Sequence, residues 1–171
     1  MEKGLIPVPF RTLNFEDNSE SSGQTTEVQP TNMAAVTVAG EYGYVAFVVV
    51  LGWAMLNYLA FRVMQARKKY NVNYPNLYSK TSDEFNCIQR AHQNTLEVYP
   101  QFLVFLLLGG LQFPKLSAVF GVIFIASRFV YAHGYYTFEP ANRNRGAFGY
   151  IGLLGLIANT VLFGLNSTGF I

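Results

Sequence analysis

The chain has 171 residues, 51% of them apolar and only 13% charged, with a formal net charge of +2 and a pI near 8.7. A soluble domain carries about 25% charged residues, so the composition excludes an ordinary water-facing surface. The small net charge, with no basic tract beyond Arg67-Lys68-Lys69, excludes nucleic acid as a partner. One cysteine, Cys87, excludes an intrachain disulfide and a multi-cysteine metal site; His92 and His133 have no partners at ligand spacing, so no metal is expected.

In chain order, residues 1–39 come first and stand apart. Ser19–Thr31 is rich in Ser, Thr, Gln, Glu and Gly without a periodic apolar pattern, and reads as a disordered tail. It lacks the apolar stretch of a signal peptide. Met33 opens a segment that resembles a natural chain start, so the tail reads either as an alternative-start extension or as an ordinary flexible tail.

Residues 40–171 read as a transmembrane domain. A bilayer core needs roughly 20 mostly apolar residues in a helix. No charge occurs between Glu41 and Arg62, and none from Gly146 to Ile171. Between Arg90 and Lys115 the only charge is Glu97, and between Lys115 and Glu139 it is Arg128. Four helices are therefore expected, over about 41–70, 84–111, 116–137 and 145–165. The first is apolar all round, as lipid contact demands, and ends on Arg67, Lys68 and Lys69, which favour the negative end of the helix dipole. Pro75 and its Asn and Ser neighbours break the chain before the second helix, in which Pro100 predicts a kink. The short link Gln112–Lys115 makes the second and third helices antiparallel neighbours. The fold class is all-α, an integral membrane four-helix bundle.

Loop charge sets the orientation. Arg67, Lys68, Lys69 and Lys80 lie at the first connection and Arg143 and Arg145 at the third, against Lys115 alone at the second. The positive-inside rule puts the first and third connections in the cytosol. The sequon Asn166-Ser167-Thr168 then faces the other side, too near the fourth helix for glycosylation.

Ionisable residues at membrane depth cost about 2.5 kcal/mol or more each, and mark functional sites by default. On the second helix Arg90, Asn94 and Glu97 fall within an arc of about 60° at 3.6 residues per turn, with Gln101 extending the face. On the third, Arg128, Tyr131 and Tyr135 share an arc of similar width. Such stripes face each other, a neighbouring subunit or a water-filled pocket. Periodicity alone leaves Arg90 and Glu97 equally open to a role as helix–helix glue, or, with Arg128, to a transporter or proton relay. Arg128 itself reads as a structural arginine bonded to backbone or to another helix.

Phe85–Pro100, FNCIQRAHQNTLEVYP, resembles the signature of the membrane-associated proteins in eicosanoid and glutathione metabolism. Glu41–Tyr44, Gln65–Pro75 and Ser127–Gly149 fit the same family, and the resemblance covers about residues 34–166. It implies a homotrimer in the endoplasmic reticulum membrane, with the mitochondrial outer membrane as an alternative. Glutathione is the implied co-substrate, bound between subunits near the cytosolic side, and a lipophilic electrophile or lipid hydroperoxide enters from the membrane lipids. By similarity to the leukotriene-C synthase branch, the glutathione contacts fall on Arg67, Arg90, His92, Asn94, Glu97, Tyr131 and Tyr135, with Lys68 an added point charge. Val98 stands where that branch has a tyrosine and His92 where it has a glutamine. The family places a thiol-activating arginine near the start of the fourth helix; Arg143 and Arg145 are both candidates, Arg143 the preferred one. A guanidinium or helix N-terminus there would favour the thiolate. Relatives extend further at the C-terminus and carry cysteines there, so lipidation is not expected of this chain. One branch, the five-lipoxygenase-activating type, is a lipid-binding scaffold without catalysis; the full polar set argues against that role here.

Overall fold

The structure, a computed structural model, describes residues 40–170. The tail expected over 1–39 lies outside the described residues.

A single 3₁₀ turn at Gly40–Tyr42 leads into helix α1, Gly43–Lys69. Helices α2 (Asp83–Gln112), α3 (Pro114–Tyr136) and α4 (Gly149–Ser167) follow. All four are long and apolar enough to cross a membrane. The shortest, α4, has 19 residues and spans about 28 Å at 1.5 Å per residue, close to the thickness of a hydrocarbon core.

Local chemistry sets the helix ends. Ser82 caps α2, its Oγ accepting from the Phe85 amide at 3.2 Å, and Asp83 and Glu84 complement the dipole in the first turn. Pro114 opens α3 at a position where no amide donor is needed. Only Phe113 separates α2 from α3, a tighter turn than the expected Gln112–Lys115 link. The helical assignment of α2 continues through Pro100.

The start of the fourth helix departs from expectation. The chain forms a separate 3₁₀ helix over Pro140–Gly146, and α4 begins at Gly149 rather than near residue 145. The reason is close packing on α3. A Cβ on Gly146 would come within 2.7 Å of the Ser127 carbonyl oxygen, and one on Gly134 would collide with the Asn142 carbonyl. Two glycines thus let this segment lie flat on α3 and delay α4 by a turn.

Helices α2 and α3 form the middle of the bundle; α1 packs on both, and so does α4. Val45, Met55, Leu59, Phe102, Leu106, Phe124 and Leu156 fill the core, with the Phe102 and Phe124 rings stacked at 4.3 Å. Outward positions such as Phe47, Trp53, Val119, Ile151 and Leu154 are exposed and apolar, as lipid contact requires. At the end near Phe113, Asn159 donates to Ser117 at 3.0 Å and Thr160 to the Phe105 carbonyl at 3.1 Å, side-chain bonds of the kind that join membrane helices. Glu41 and Lys115 pair at 2.5 Å at that same end. The opposite end gathers the two longer connections and the cations Arg67, Lys68, Lys69, Arg143 and Arg145.

Candidate functional site

The polar stripes of α2 and α3 meet. Arg90 holds Glu97 through two hydrogen bonds, 3.0 and 3.5 Å, and the Asn94 amide donates to the same carboxylate at 3.3 Å. From α3, Arg128 Nη2 donates to Asn94 Oδ1 at 2.9 Å. Arg128 also binds Thr95 Oγ1 through Nε at 3.2 Å and Nη2 at 3.0 Å, while Thr95 donates to the Ala91 carbonyl at 2.9 Å. One connected network therefore runs Arg90–Glu97–Asn94–Arg128 across two helices.

The Arg90–Glu97 pair lies within α2, seven residues apart, so the pair itself does not join two helices of this bundle. Asn94 and Thr95 make that crossing. Both side chains of the pair are over 40% exposed, which keeps them open to a ligand. Arg128 is buried at 8% exposure, about 12 Å below the end of α3 at 1.5 Å per residue.

Aromatic rings carry the arrangement outward. The Arg128 guanidinium lies 3.9 Å from the Tyr131 ring centre, Tyr131 meets Tyr135 edge-on at 5.3 Å, and Arg143 sits 5.9 Å above Tyr135. Arg143 is anchored by donating to the Pro140 carbonyl at 3.0 Å. A cavity of about 290 Å³ opens among Asn94, Val98, Arg128, Tyr131, Arg143 and Tyr150. Gly149, the first residue of α4, also lines it, so the positive end of that helix faces the cavity. Arg90 and Tyr135 line a neighbouring cavity of about 440 Å³ nearer the loops.

Of the expected contact residues, Arg90, Asn94, Glu97, Tyr131, Tyr135 and Arg143 come together. Arg145 is exposed and does not line the cavity. Three others lie elsewhere within the chain. Arg67 donates to the Asn76 and Val72 carbonyls at 2.8 and 3.4 Å and stacks on Tyr74, so its guanidinium holds the loop between α1 and α2. Lys68 lines a separate pocket with Arg62 and Phe138. His92 is half-buried, about 200° around α2 from Arg90. Among the described residues no group of three His, Cys, Asp or Glu side chains could hold a metal ion. Sequence reading passes over Thr95, whose hydroxyl is hidden by its mild hydropathy, and treats Arg128 as structural; here the two are the crossing point of the network.

Four membrane-length helices with a polar network sunk between two of them define a multi-pass integral membrane protein with an intramembrane polar site. The MAPEG family model matches residues 25–166, and the chain belongs to that family. Microsomal glutathione S-transferase 2 of Mus musculus is 33% identical over 132 residues, 76% of this chain and 87% of the relative. Its Homo sapiens counterpart is 34% identical over 128 residues, 74% of this chain and 83% of the relative. Leukotriene C4 synthase of Bos taurus is 31% identical over 96 residues, 56% of this chain and 63% of the relative.

Proposed function

We propose that the protein is a membrane-bound glutathione transferase and glutathione-dependent peroxidase acting on lipophilic electrophiles, including lipid hydroperoxides and the epoxide that yields a leukotriene C. The observation that carries this reading is the network Arg90–Glu97–Asn94–Arg128 beside a cavity that also takes in Tyr131 and Arg143. The names of the relatives support it. Within the family, we assign the chain to the microsomal glutathione S-transferase 3 type, on the resemblance of Phe85–Pro100 to that type's signature.

Glutathione offers two carboxylates, one ammonium, a peptide backbone and a thiol. Arg90 is suited to a carboxylate through its planar pair of donors. Glu97 takes the ammonium, and Asn94 both donates to and accepts from peptide groups. Tyr131 and Tyr135 donate hydrogen bonds. Arg143, at the cavity rim and facing the same space as the α4 N-terminus, favours the thiolate over the thiol. In a homotrimer, Arg67, Lys68 and His92 would serve the site from the adjacent subunit. The charged end of the bundle would face the cytosol and the membrane would be that of the endoplasmic reticulum.

The test is the thiolate absorbance of glutathione bound to purified, detergent-solubilised protein. A signal near neutral pH is expected, lost in Arg143→Ala and kept in Arg145→Ala. Loss in Arg145→Ala instead would move the activating role to that residue. A wild-type protein that binds no glutathione would overturn the enzyme reading in favour of a lipid-binding scaffold.

A further inference from the structure

Arg128 carries a charge that the protein does not neutralise. Its acceptors are the Thr95 hydroxyl and the Asn94 amide oxygen, and its flat face lies on Tyr131; all three are neutral. Among the described residues no carboxylate lies within salt-bridge distance of it. A buried guanidinium is costly when left without an anion, and such residues in membrane helices mark the path or site of a substrate.

Its position in the cavity is specific. At the rim lie Arg143 and Asn144, on the 3₁₀ segment; deeper lie Val98, Phe124 and Leu153. Phe124 is one helical turn further into the bundle than Arg128. Arg128 therefore stands where the polar lining gives way to the apolar one. A hydrophilic thiol entering from the rim and a lipid electrophile lying against the apolar wall would meet beside this guanidinium.

We propose that Arg128 is a catalytic residue that binds the oxygen anion released from oxygen-bearing electrophiles. The inference rests on the glutathione reading above. With a hydroperoxide, the thiolate sulfur attacks the outer oxygen, an S–O bond forms and the O–O bond breaks. The alkoxide departs with the electron pair, held by Arg128, and takes a proton from water to become the alcohol. Sulfur is oxidised to the sulfenic acid, which a second glutathione converts to the disulfide with loss of water. With an epoxide, an S–C bond forms, a C–O bond breaks, and the same guanidinium holds the resulting alkoxide until water protonates it. Fixed donors aimed at a developing oxyanion contribute about 10²–10³-fold in rate. Thr95 and Asn94 supply the fixing, since three hydrogen bonds and a stacked ring leave the guanidinium little freedom.

The experiment compares two electrophiles on the full-length protein in detergent. Cumene hydroperoxide releases an oxygen anion; 1-chloro-2,4-dinitrobenzene releases chloride. In Arg128→Gln, kcat with the hydroperoxide is expected to fall about 100-fold, and kcat with the aryl chloride by less than tenfold. Arg128→Lys, which keeps the charge, is expected to recover part of the hydroperoxide rate; it also supplies the comparison should the glutamine variant not fold. Equal losses with both electrophiles, or a rise in glutathione KM alone, would make Arg128 a structural or glutathione-positioning residue and overturn the proposal. Wild-type protein inactive with both electrophiles would instead sink the glutathione reading itself, and this inference with it.

Discussion

Placing a single methyl group at Gly134 is expected to cost about 100-fold in glutathione-dependent turnover while leaving the four helices assembled. Gly134 lies on α3 beneath the 3₁₀ segment. A Cβ there would collide with the Asn142 carbonyl and come within 2.9 Å of the Arg143 amide nitrogen. These are backbone atoms, so the segment itself must move. Overpacking of this kind costs about 1–3 kcal/mol, which the bundle can lose without unfolding. Activity should suffer more if Arg143, the displaced residue, activates the thiol as proposed, since a shift of 1 Å at a reacting group costs about 10²-fold. Turnover and thermal unfolding of Gly134→Ala in detergent would be measured together. Gly164→Ala is the control, since nothing lies within 4 Å of a Cβ at that position. If Gly134→Ala unfolds at a lower temperature yet turns over normally, Arg143 is not the group that activates the thiol.

The second large effect is expected at Glu97. Its side chain is 42% exposed and its partner Arg90 sits on the same helix. Exposed ion pairs contribute about 0–1 kcal/mol to stability, so Glu97→Ala should barely shift the unfolding temperature. If Glu97 receives the ammonium of glutathione, it supplies a charge-assisted hydrogen bond of about 1.5–3 kcal/mol. The glutathione Kd should then rise about 10- to 100-fold, at 1.4 kcal/mol per tenfold. Isothermal titration with glutathione reads this directly. A large loss of stability with unchanged glutathione affinity would assign Glu97 to the architecture of the bundle and remove it from the site.

The four helices were legible because lipid imposes a coarse requirement, long runs without charge, that composition meets or fails openly. The break before α4 was not. It depends on Gly134 and Gly146 admitting backbone at close range, and a glycine in sequence carries no sign of what approaches it. The site was legible where polar residues recur at helical spacing, as with Arg90, Asn94 and Glu97. Periodicity gives the face a residue points from, however, and not the neighbour it points to. Arg67 illustrates the limit: it lies on the expected charged rim, yet its guanidinium is engaged by loop carbonyls that no spacing rule anticipates. Thr95 illustrates the converse, a residue of no evident charge that anchors the deepest one.

The one-residue turn at Phe113 has a consequence for how the chain reaches its membrane. Of the four helices α2 is the least apolar, since Arg90, Asn94, Thr95 and Glu97 all lie along it. Alone it is a poor candidate for partitioning out of the translocation machinery into lipid. Joined to α3 by Phe113, it can leave as a helical hairpin in which Arg128 has already met Asn94 and Thr95, so that these three polar groups do not enter the acyl chains unpaired. Nascent chains truncated after residue 113 should then fail to integrate α2 in a microsomal glycosylation-mapping assay, whereas chains extended through Tyr136 should integrate both. On this view the contacts that shape the site also act as a biogenesis checkpoint.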